Sequence, residues 1–503
     1  MGIAGLWSLL EPVIEEVYLK ECCGKRIAVD LSEWIVQCKS IPVNSQSGFE
    51  SNTSFFVNRG LFFRALNLSK LGIILVFVMD GPQAPSRKGR YNRHLFVEIC
   101  QQHKALFRAM GFLVLEANGE AEKLCAELNL NNLVDGVLSS DGDAIVYGAP
   151  VVYKGMFTDK KEQKASKFTM GNIVSKLQMD RNDLVTFALL SKGDISDGVH
   201  SVGEKRIHEL LKELKNNGVK DSLERLKSWP FNAELISLED QSHRLNEIQK
   251  STHCTLCCHE GTKSKHSRAG CLMCQMDQGC LSSKEASDMK PALCVCQSCC
   301  IERNLNPYAL ELKIRRLALQ QDANFPSEEI IREFLSPCNK LPESSSVRMS
   351  TPDFQALYKI LLEKLRFPKV QAAKYIIPWT IMMAFNGILT GVAVEPVRIL
   401  KSCTEQFEKC YRVKWSKLDF DDVSEETDNY YEVNMSSSLF AAKYPDLVKG
   451  FEKDKGKPSQ KGKRKPVNDP YQRKLSDMFK VVKRSEGKNE SVAKPTDMSR
   501  KPP

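Results

Sequence analysis

With 503 residues, 42% of them hydrophobic and 27% charged, the chain has the composition of a soluble globular protein and the length for two or three domains rather than one. Its net charge of +10 is concentrated in one place: Phe451 to Pro503 holds 16 Lys and Arg against 7 Asp and Glu, a balance of 16 − 7 = +9. This excludes a uniformly cationic protein and implies a nearly neutral body with a basic, partner-seeking tail.

The start Met1-Gly2-Ile3-Ala4-Gly5-Leu6-Trp7 lacks a basic region followed by an apolar run, so secretion is not expected. Leu6 stands where a myristoylation signal needs Ser or Thr. Short apolar runs then alternate with helical periodicity over the first 160 residues: Ile27-Ala28-Val29, Ile73 to Val78, Leu113 to Leu115, Val137-Leu138 and Val151-Val152-Tyr153. Strands spaced by helices predict an α/β fold, a mostly parallel twisted sheet flanked by helices on both faces. Sites in that architecture form at the carboxyl ends of the strands. Acids stand at those ends: Asp30 after the first run, Asp80-Gly81-Pro82 after the second, Glu120 and Glu122 opening a helix, and Asp141-Gly142-Asp143 after a further strand.

Any one of these acids reads most simply as a solvated turn residue, since Asp-Gly is frequent in turns. Together they read differently, because all fall at strand-to-helix corners on one edge of one sheet. Carboxylates gathered there repel by about 4 kcal/mol per pair at 4 Å and an effective dielectric of 20, unless protons or cations relieve them. Two Mg²⁺ ions, with Mn²⁺ as a substitute, suit such hard oxygen ligands. Held about 3.5–4 Å apart, they serve phosphodiester hydrolysis. Between Asp80 and Glu120, Arg87, Lys88, Arg90 and Arg93 have the spacing of a basic helix beside the site; a solvated charged face is the simpler alternative.

Beyond Ser166 the pattern is helical, with Asp180 to Leu190 and Glu204 to Leu214 flanking a glycine-containing turn. Ten of the eighteen cysteines then fall between Cys254 and Cys300. In a chain without an export signal such clustering points to metal rather than disulfides. Cys254-x-x-Cys257 and Cys271-x-x-Cys274 have the separation for one tetrahedral structural Zn²⁺, and Cys280, Cys294, Cys296, Cys299 and Cys300 with His253, His259 and His266 offer a second site. A second helical region runs from Glu311 to Phe385. The uncharged stretch Tyr375 to Val394 has membrane-spanning length, but Pro378, Asn386, Gly387 and Gly391 make it a core helix and turn, so no membrane partner is expected. Val394 to Trp415 reads as short strands and Ser436 to Phe451 as a closing helix. From Glu452 onward Lys, Ser, Gly and Pro dominate, which predicts disorder. Within that tail Lys461-Gly462-Lys463-Arg464-Lys465 reads as a nuclear address, and Gln472-x-x-Leu475-x-x-Met478-Phe479 approximates a sliding-clamp peptide with Met where an aromatic is usual.

Met1-Gly2-Ile3-x-x-Leu6-Trp7, Ile27-Ala28-Val29-Asp30-Leu31-Ser32-x-Trp34, Val76-Phe77-Val78-Met79-Asp80-Gly81, Gly119-Glu120-Ala121-Glu122 and Asp141-Gly142-Asp143 resemble, in order, the N-terminal and internal nuclease motifs of the XPG/flap-endonuclease family. The resemblance covers roughly residues 1–215 and implies a PIN-like nuclease core in which Asp30, Asp80, Glu120, Glu122, Asp141 and Asp143 hold the Mg²⁺ ions. The family's further Asp precedes its DNA-binding hairpin; Asp194, after a one-residue deletion, or Asp197 takes that place. Gly198-Val199-His200-Ser201-Val202-Gly203-Glu204-Lys205-Arg206 resembles the family's helix-two-turn-helix hairpin. That likeness implies that Gly198, Gly203, Lys205 and Arg206, together with Gly2, Arg87, Lys88 and Arg93, meet DNA, with Arg87 approaching the scissile phosphate. Ser201 replaces a usual Gly. Only 39 residues lie between Asp80 and Glu120, a short arch suited to branches that cannot be threaded.

His253-Cys254-x-x-Cys257, Gly270-Cys271-x-x-Cys274 and Phe325-Pro326-Ser327-Glu328-Glu329 look like the Holliday-junction-resolving GEN class and its single-strand-DNA-endonuclease relatives. Val397 to Leu400 and Tyr411 to Trp415 resemble that class's small chromodomain, where Tyr411 and Trp415 serve either as ligand-binding aromatics or as core. The implied organisation is an XPG N-terminal region (1–95), an internal nuclease region with the start of the helix-two-turn-helix (96–215), a helical region holding the Cys/His-rich stretch at 253–300 (216–390), a chromodomain-like module (391–451) and the basic tail (452–503). The expectation is a nuclear endonuclease for flaps, forks and four-way junctions, dimeric on junctions. The alternatives are a flap or single-strand endonuclease without junction resolution, a branched-DNA or chromatin binder that has lost catalysis, and a PIN-type ribonuclease.

Overall fold

Runs such as Ile74-Leu75-Val76-Phe77-Val78-Met79, apolar without alternation, fit strands covered on both faces. The computed structural model describes residues 2–39, 52–82, 93–158, 162–247, 252–280, 294–337, 340–389, 395–405, 408–416 and 430–455. It arranges seven strands in one sheet: β1 (Glu15–Tyr18), β2 (Arg26–Asp30), β3 (Ile74–Met79), β4 (Leu113–Glu116), β5 (Gly136–Leu138), β6 (Val151–Lys154) and β7 (Lys164–Thr169), ordered β1-β7-β6-β5-β2-β3-β4. The five from β6 to β4 are parallel, while β7 runs antiparallel to β6, and β1 to β7. The five parallel strands are those the apolar runs predict. The two antiparallel strands are not, because Glu15-Glu16-Val17-Tyr18 at the sheet edge and Lys164 to Thr169 beside it carry charged residues that hide the apolar signal.

Successive side chains of a strand point to opposite faces, and the sheet accordingly separates two cores. Ala28, Val76, Val78 and Val137 face one, with Leu6, Leu10, Leu124 and Phe187. Ile27, Val29, Leu75, Phe77 and Leu138 face the other, with Trp34, Phe62, Phe107 and Trp379. In the second core Phe77 stacks on Phe107 at 3.9 Å, and Trp379 donates its indole N–H to Ser69 Oγ at 2.8 Å. Trp379 belongs to the helix Lys369–Phe385, which ends in a turn at Gly387 with φ +72°. Among the described residues no helix is long and apolar enough to cross a membrane.

Helices follow the sheet. Arg181–Leu190 opens with a capping box, Asp180 accepting from Asp183 N at 2.9 Å and Asp183 from Asp180 N at 3.0 Å. A second, antiparallel sheet comprises β8 (Pro396–Glu405), β9 (Glu408–Ser416) and β10 (Tyr430–Ser436), the last of which sequence reading did not assign. Trp415 is completely buried there, packed with Phe385, Phe440 and Tyr444, so it is core and is not open to a ligand. The expected closing helix is two, Ser437–Lys443 and Pro445–Lys455, broken before Pro445. Chain contacts separate Met1–Val448 from a second unit, Lys449–Pro503. The nuclear-address and clamp-like segments of the tail lie outside the described residues.

Candidate active site

Parallel register sets the acids side by side. β2 lies between β5 and β3, with Asp30 opposite Val78 and Val29 opposite Leu138, so Asp30, Asp80 and the Ser139-Ser140-Asp141 turn leave neighbouring strands at the same end. Asp80 Oδ1 accepts from Ala121 N at 2.9 Å, which pins the start of the helix Ala121–Leu130 against β3. That helix start carries Glu120 and Glu122 where the helix dipole favours negative charge. The turn at Gly81 makes this approach possible: a Cβ there would lie 1.9 Å from the Ala117 carbonyl oxygen.

One carboxylate oxygen from each of Glu122, Asp141 and Asp143 lies within 4.8 Å of the others, and all three residues are buried. Asp30 is 1% exposed beside them. Burial, followed by Asp141 and Asp30, pushes the Glu122 carboxyl well above its ordinary range. Burial and then the neighbouring Asp141 raise Asp143 to about 8, and burial likewise raises Asp141. Asp141 Oδ1 is buried with no hydrogen-bond partner among the described residues. A set of hard oxygen donors, one of them orphaned, fits a divalent cation.

The chain's first residues complete the wall. Ile3 N donates to Asp143 Oδ1 at 3.2 Å and Gly2 N to Asp194 Oδ2 at 3.1 Å, while a Cβ on Gly2, whose φ is +89°, would collide with Asp141 Oδ1. Asp194 therefore reaches the cluster, and it is also among the charges that raise Asp141. Gly2 lies within the acidic cluster itself, its N–H turned to a carboxylate. Tyr147, buried, donates its hydroxyl to Glu120 Oε2 at 3.0 Å.

Sequence reading missed Glu33. It is 4% exposed and sits between the Ser139-Ser140 turn and Gln37: Oε1 accepts from Ser140 N at 2.8 Å and Gln37 Nε2 at 2.6 Å, and Oε2 contacts Ser139 Oγ at 3.0 Å. Ser139 Oγ also lies 2.9 Å from Glu122 Oε1, so one hydroxyl proton is shared between two carboxylates. Arg64 stacks on Trp34 and donates to Gln37 Oε1 at 2.7 Å, bringing a positive charge behind Glu33. The available signal was its place three residues after Asp30, at the start of the helix Leu31–Lys39, where Asp30 Oδ1 accepts from Glu33 N at 3.1 Å.

In the hairpin, Gly198 takes φ +64°, and a Cβ there would lie 2.5 Å from Ser191 backbone. Ser201 takes φ +65°, a left-handed conformation costly for a side-chain-bearing residue. Gln321 braces the loop, donating to the Gly198 carbonyl at 2.8 Å and accepting from His200 N at 2.9 Å; it too was missed, since nothing local links positions 121 residues apart. Gly203 precedes the helix Glu204–Asn216, whose first turn exposes Lys205 and Arg206. Arg87 and Lys88 lie outside the described residues, and Arg93 opens the helix Arg93–Ala109.

The four cysteines expected to share one zinc do not converge on a point. Cys254 and Cys257 group with Cys280 and His266, whereas Cys271 and Cys274 group with His259 and again Cys257.

Residues 1–95 match the XPG N-terminal domain and residues 111–194 the XPG I-region. Flap endonuclease GEN-like 1 of Arabidopsis thaliana is 30% identical over 418 residues, covering 75% of this chain and 67% of that protein. Flap endonuclease GEN homolog 1 of Homo sapiens is 29% identical over 501 residues, 93% of this chain and 53% of the relative. The chain spans about half the length of that protein and of its mouse counterpart. The fold is shared with the crystal structure of human GEN1 in complex with Holliday junction DNA, at a TM-score of 0.61 and 24% identity over 90% of this chain and 98% of that one.

Two outcomes follow from this geometry. Because the Asp143 pKa is raised in the folded state, the folded chain binds a proton there that the unfolded chain releases; the residue's contribution is present below its unfolded value and is lost as pH rises through about 8. In cation-free buffer Asp143→Asn should therefore gain thermal stability relative to the native chain as pH rises from 5 to 8.5, and a constant difference would show that Asp143 is not perturbed. Ser201→Gly should relieve about 1 kcal/mol of left-handed strain and slow hairpin amide exchange about fivefold; unchanged exchange would show an unstrained turn.

Proposed function

Since the chain belongs to the XPG family of nucleases, among the GEN-type flap endonucleases, we propose that it is a nuclear, structure-specific endonuclease that hydrolyses phosphodiester bonds at branch points in DNA. The observation that carries this reading is the convergence of Glu122, Asp141 and Asp143 on one buried point, with an unpartnered Asp141 oxygen and four further acids, Asp30, Asp80, Glu120 and Asp194, around it. Carboxylates so placed are ligands rather than general acids or bases. Two Mg²⁺ ions, when bound, supply an activated water on one side of the phosphate and charge stabilisation for the departing oxygen on the other.

The remaining work falls to the chain's own residues. Gly198 and Gly203 let backbone amides approach a phosphate, and the N-terminus of the helix Glu204–Asn216 favours the anion. Lys205 adds a mobile cation there. These contacts hold duplex backbone without reading bases, which suits an enzyme selected by branch shape. Relatives named flap endonucleases, and a fold shared with a protein captured on Holliday junction DNA, support flaps and four-way junctions as the substrates. On a junction, two copies would give symmetric nicks.

The test is a cleavage panel of flap, bubble, single-strand and four-way substrates at fixed salt. In Mg²⁺ the native chain should cut branched substrates, and Glu122→Gln or Asp141→Asn should lower the rate by more than the roughly 10–100-fold that loss of a metal's outer support costs, with binding retained. Native protein that binds branches and never cuts would leave a binding protein; cutting of flaps without junctions would leave the narrower nuclease. Lys205→Ala should weaken binding to all duplex-bearing substrates alike and reduce the slope of log K against log salt by about 1. A slope change confined to one substrate would place Lys205 elsewhere than on the backbone.

A further inference from the structure

Among its described residues, the insertion between the helices Ala233–Glu247 and Gln297–Leu305 has almost no apolar interior. Its buried cluster is Cys254, Cys257 and Cys271, with Leu256, Met273, Cys274 and Cys280 against them, while Leu272 is 97% and Val295 63% exposed. A segment that buries so little hydrocarbon needs another source of order, which small domains find in disulfides or metal. Disulfides are not that source: Cys254 and Cys280 Sγ stand 3.6 Å apart, against about 2.05 Å for a bond.

Three groups of four side chains meet here, each with its ligand atoms within 4.8 Å of one another: His253, Cys294, Cys296 and Cys299; Cys254, Cys257, Cys280 and His266; and Cys257, His259, Cys271 and Cys274. We propose that this insertion is a three-zinc module in which each ion is held by three cysteines and one histidine and the Cys257 thiolate bridges two of the ions. Eight cysteines and three histidines make 8 + 3 = 11 ligands, and counting Cys257 twice gives the 12 positions that three tetrahedra require.

The distances fit. Zn–S of about 2.3 Å and Zn–N of about 2.0–2.1 Å put neighbouring ligand atoms of a tetrahedron about 3.8 Å (S to S) or about 3.6 Å (S to N) apart. Cys257 Sγ lies 4.0 Å from Cys271 Sγ and 3.4 Å from His266 Nδ1. His259 Nδ1 is 3.4 Å from both Cys271 and Cys274 Sγ, and His253 Nε2 is 3.4 and 3.3 Å from Cys296 and Cys299 Sγ. His266 Nε2 lies 2.9 Å from the Glu260 carbonyl; donation there fixes the tautomer that presents Nδ1 to a metal. The CxxC pairs at Cys254/Cys257 and Cys271/Cys274 are each followed at once by a left-handed residue, Cys258 at φ +61° and Gln275 at φ +54°, so these two turns are built alike around their sulfurs. Soft thiolate and imidazole ligands in tetrahedral array select zinc over the hard cations suited to carboxylates.

The first group has a separate task. His253 begins the insertion, and Cys294, Cys296 and Cys299 end it at the start of the helix Gln297–Leu305, so one ion closes the neck while the bridged pair orders the head. Cys258 and Cys300 belong to no group; Cys300 Sγ accepts from Arg303 Nη2 at 3.3 Å.

The experiment measures zinc per chain by elemental analysis of the full-length protein, reconstituted in excess zinc and desalted into excess Mg²⁺ to hold the carboxylate site. Three zinc ions are expected, two in His253→Ala, one in Cys257→Ser, and three in Cys258→Ser and Cys300→Ser. Two or fewer in the native chain, or a loss in either control, overturns the proposal. Because the ligand variants are exposed to misfolding, X-ray absorption on the native protein provides a second measurement. It should show sulfur to nitrogen at 3:1 and a zinc–zinc distance of about 3.8 Å, the separation that one shared sulfur imposes. Absence of that zinc–zinc distance overturns the bridge.

Discussion

Like charges withdrawn from water repel, and the fold of this chain is organised around tolerating that repulsion at one edge of its sheet. Glu33, Glu122, Asp141 and Asp143 are all nearly inaccessible, and Asp30 is more so. Buried carboxylates this close are held apart from solvent only where the surrounding structure compensates them. The compensation comes from backbone N–H groups of Ile3, Gly2, Ala121, Ser140 and Glu33, from the Tyr147 hydroxyl, and from a helix N-terminus.

That arrangement explains why distant segments are committed to the same corner. The N-terminal strand of contacts at Gly2 and Ile3 closes over the acids from one side, while the Ser139-Ser140 turn is locked from the other by Glu33, with Gln37 and Arg64 behind it. Gln321 ties the hairpin at Gly198 to a helix more than a hundred residues away. The acidic corner and the hairpin thus both belong to the compact unit Met1–Val448, tied into it by these long-range hydrogen bonds.

The same chain solves the problem of order in two chemical languages. Where the sheet and helices bury Val, Leu, Phe and Trp, packing suffices. Where the described residues of the insertion bury few such side chains, sulfur and imidazole converge instead. Hard oxygen and soft sulfur groups are kept in separate segments of sequence, and the two donor sets suit different classes of cation.

Much of this was legible in the amino-acid order. The apolar runs of β2 to β6 specified the parallel sheet, and the acids following them specified its working edge, because strand-end position depends on local pattern alone. The spacing of the cysteine pairs marked the segment where sulfur and imidazole side chains converge. Tertiary structure alone decided the rest: that Glu33 joins the acids, that Asp194 rather than Asp197 meets Gly2, that Cys257 stands between two groups while Cys254 parts from Cys271 and Cys274, and that Trp415 is core. The reason is common to all four. Each depends on which atoms from remote segments come within bonding distance, and period and composition carry no information about distances between residues that only the folded chain brings together.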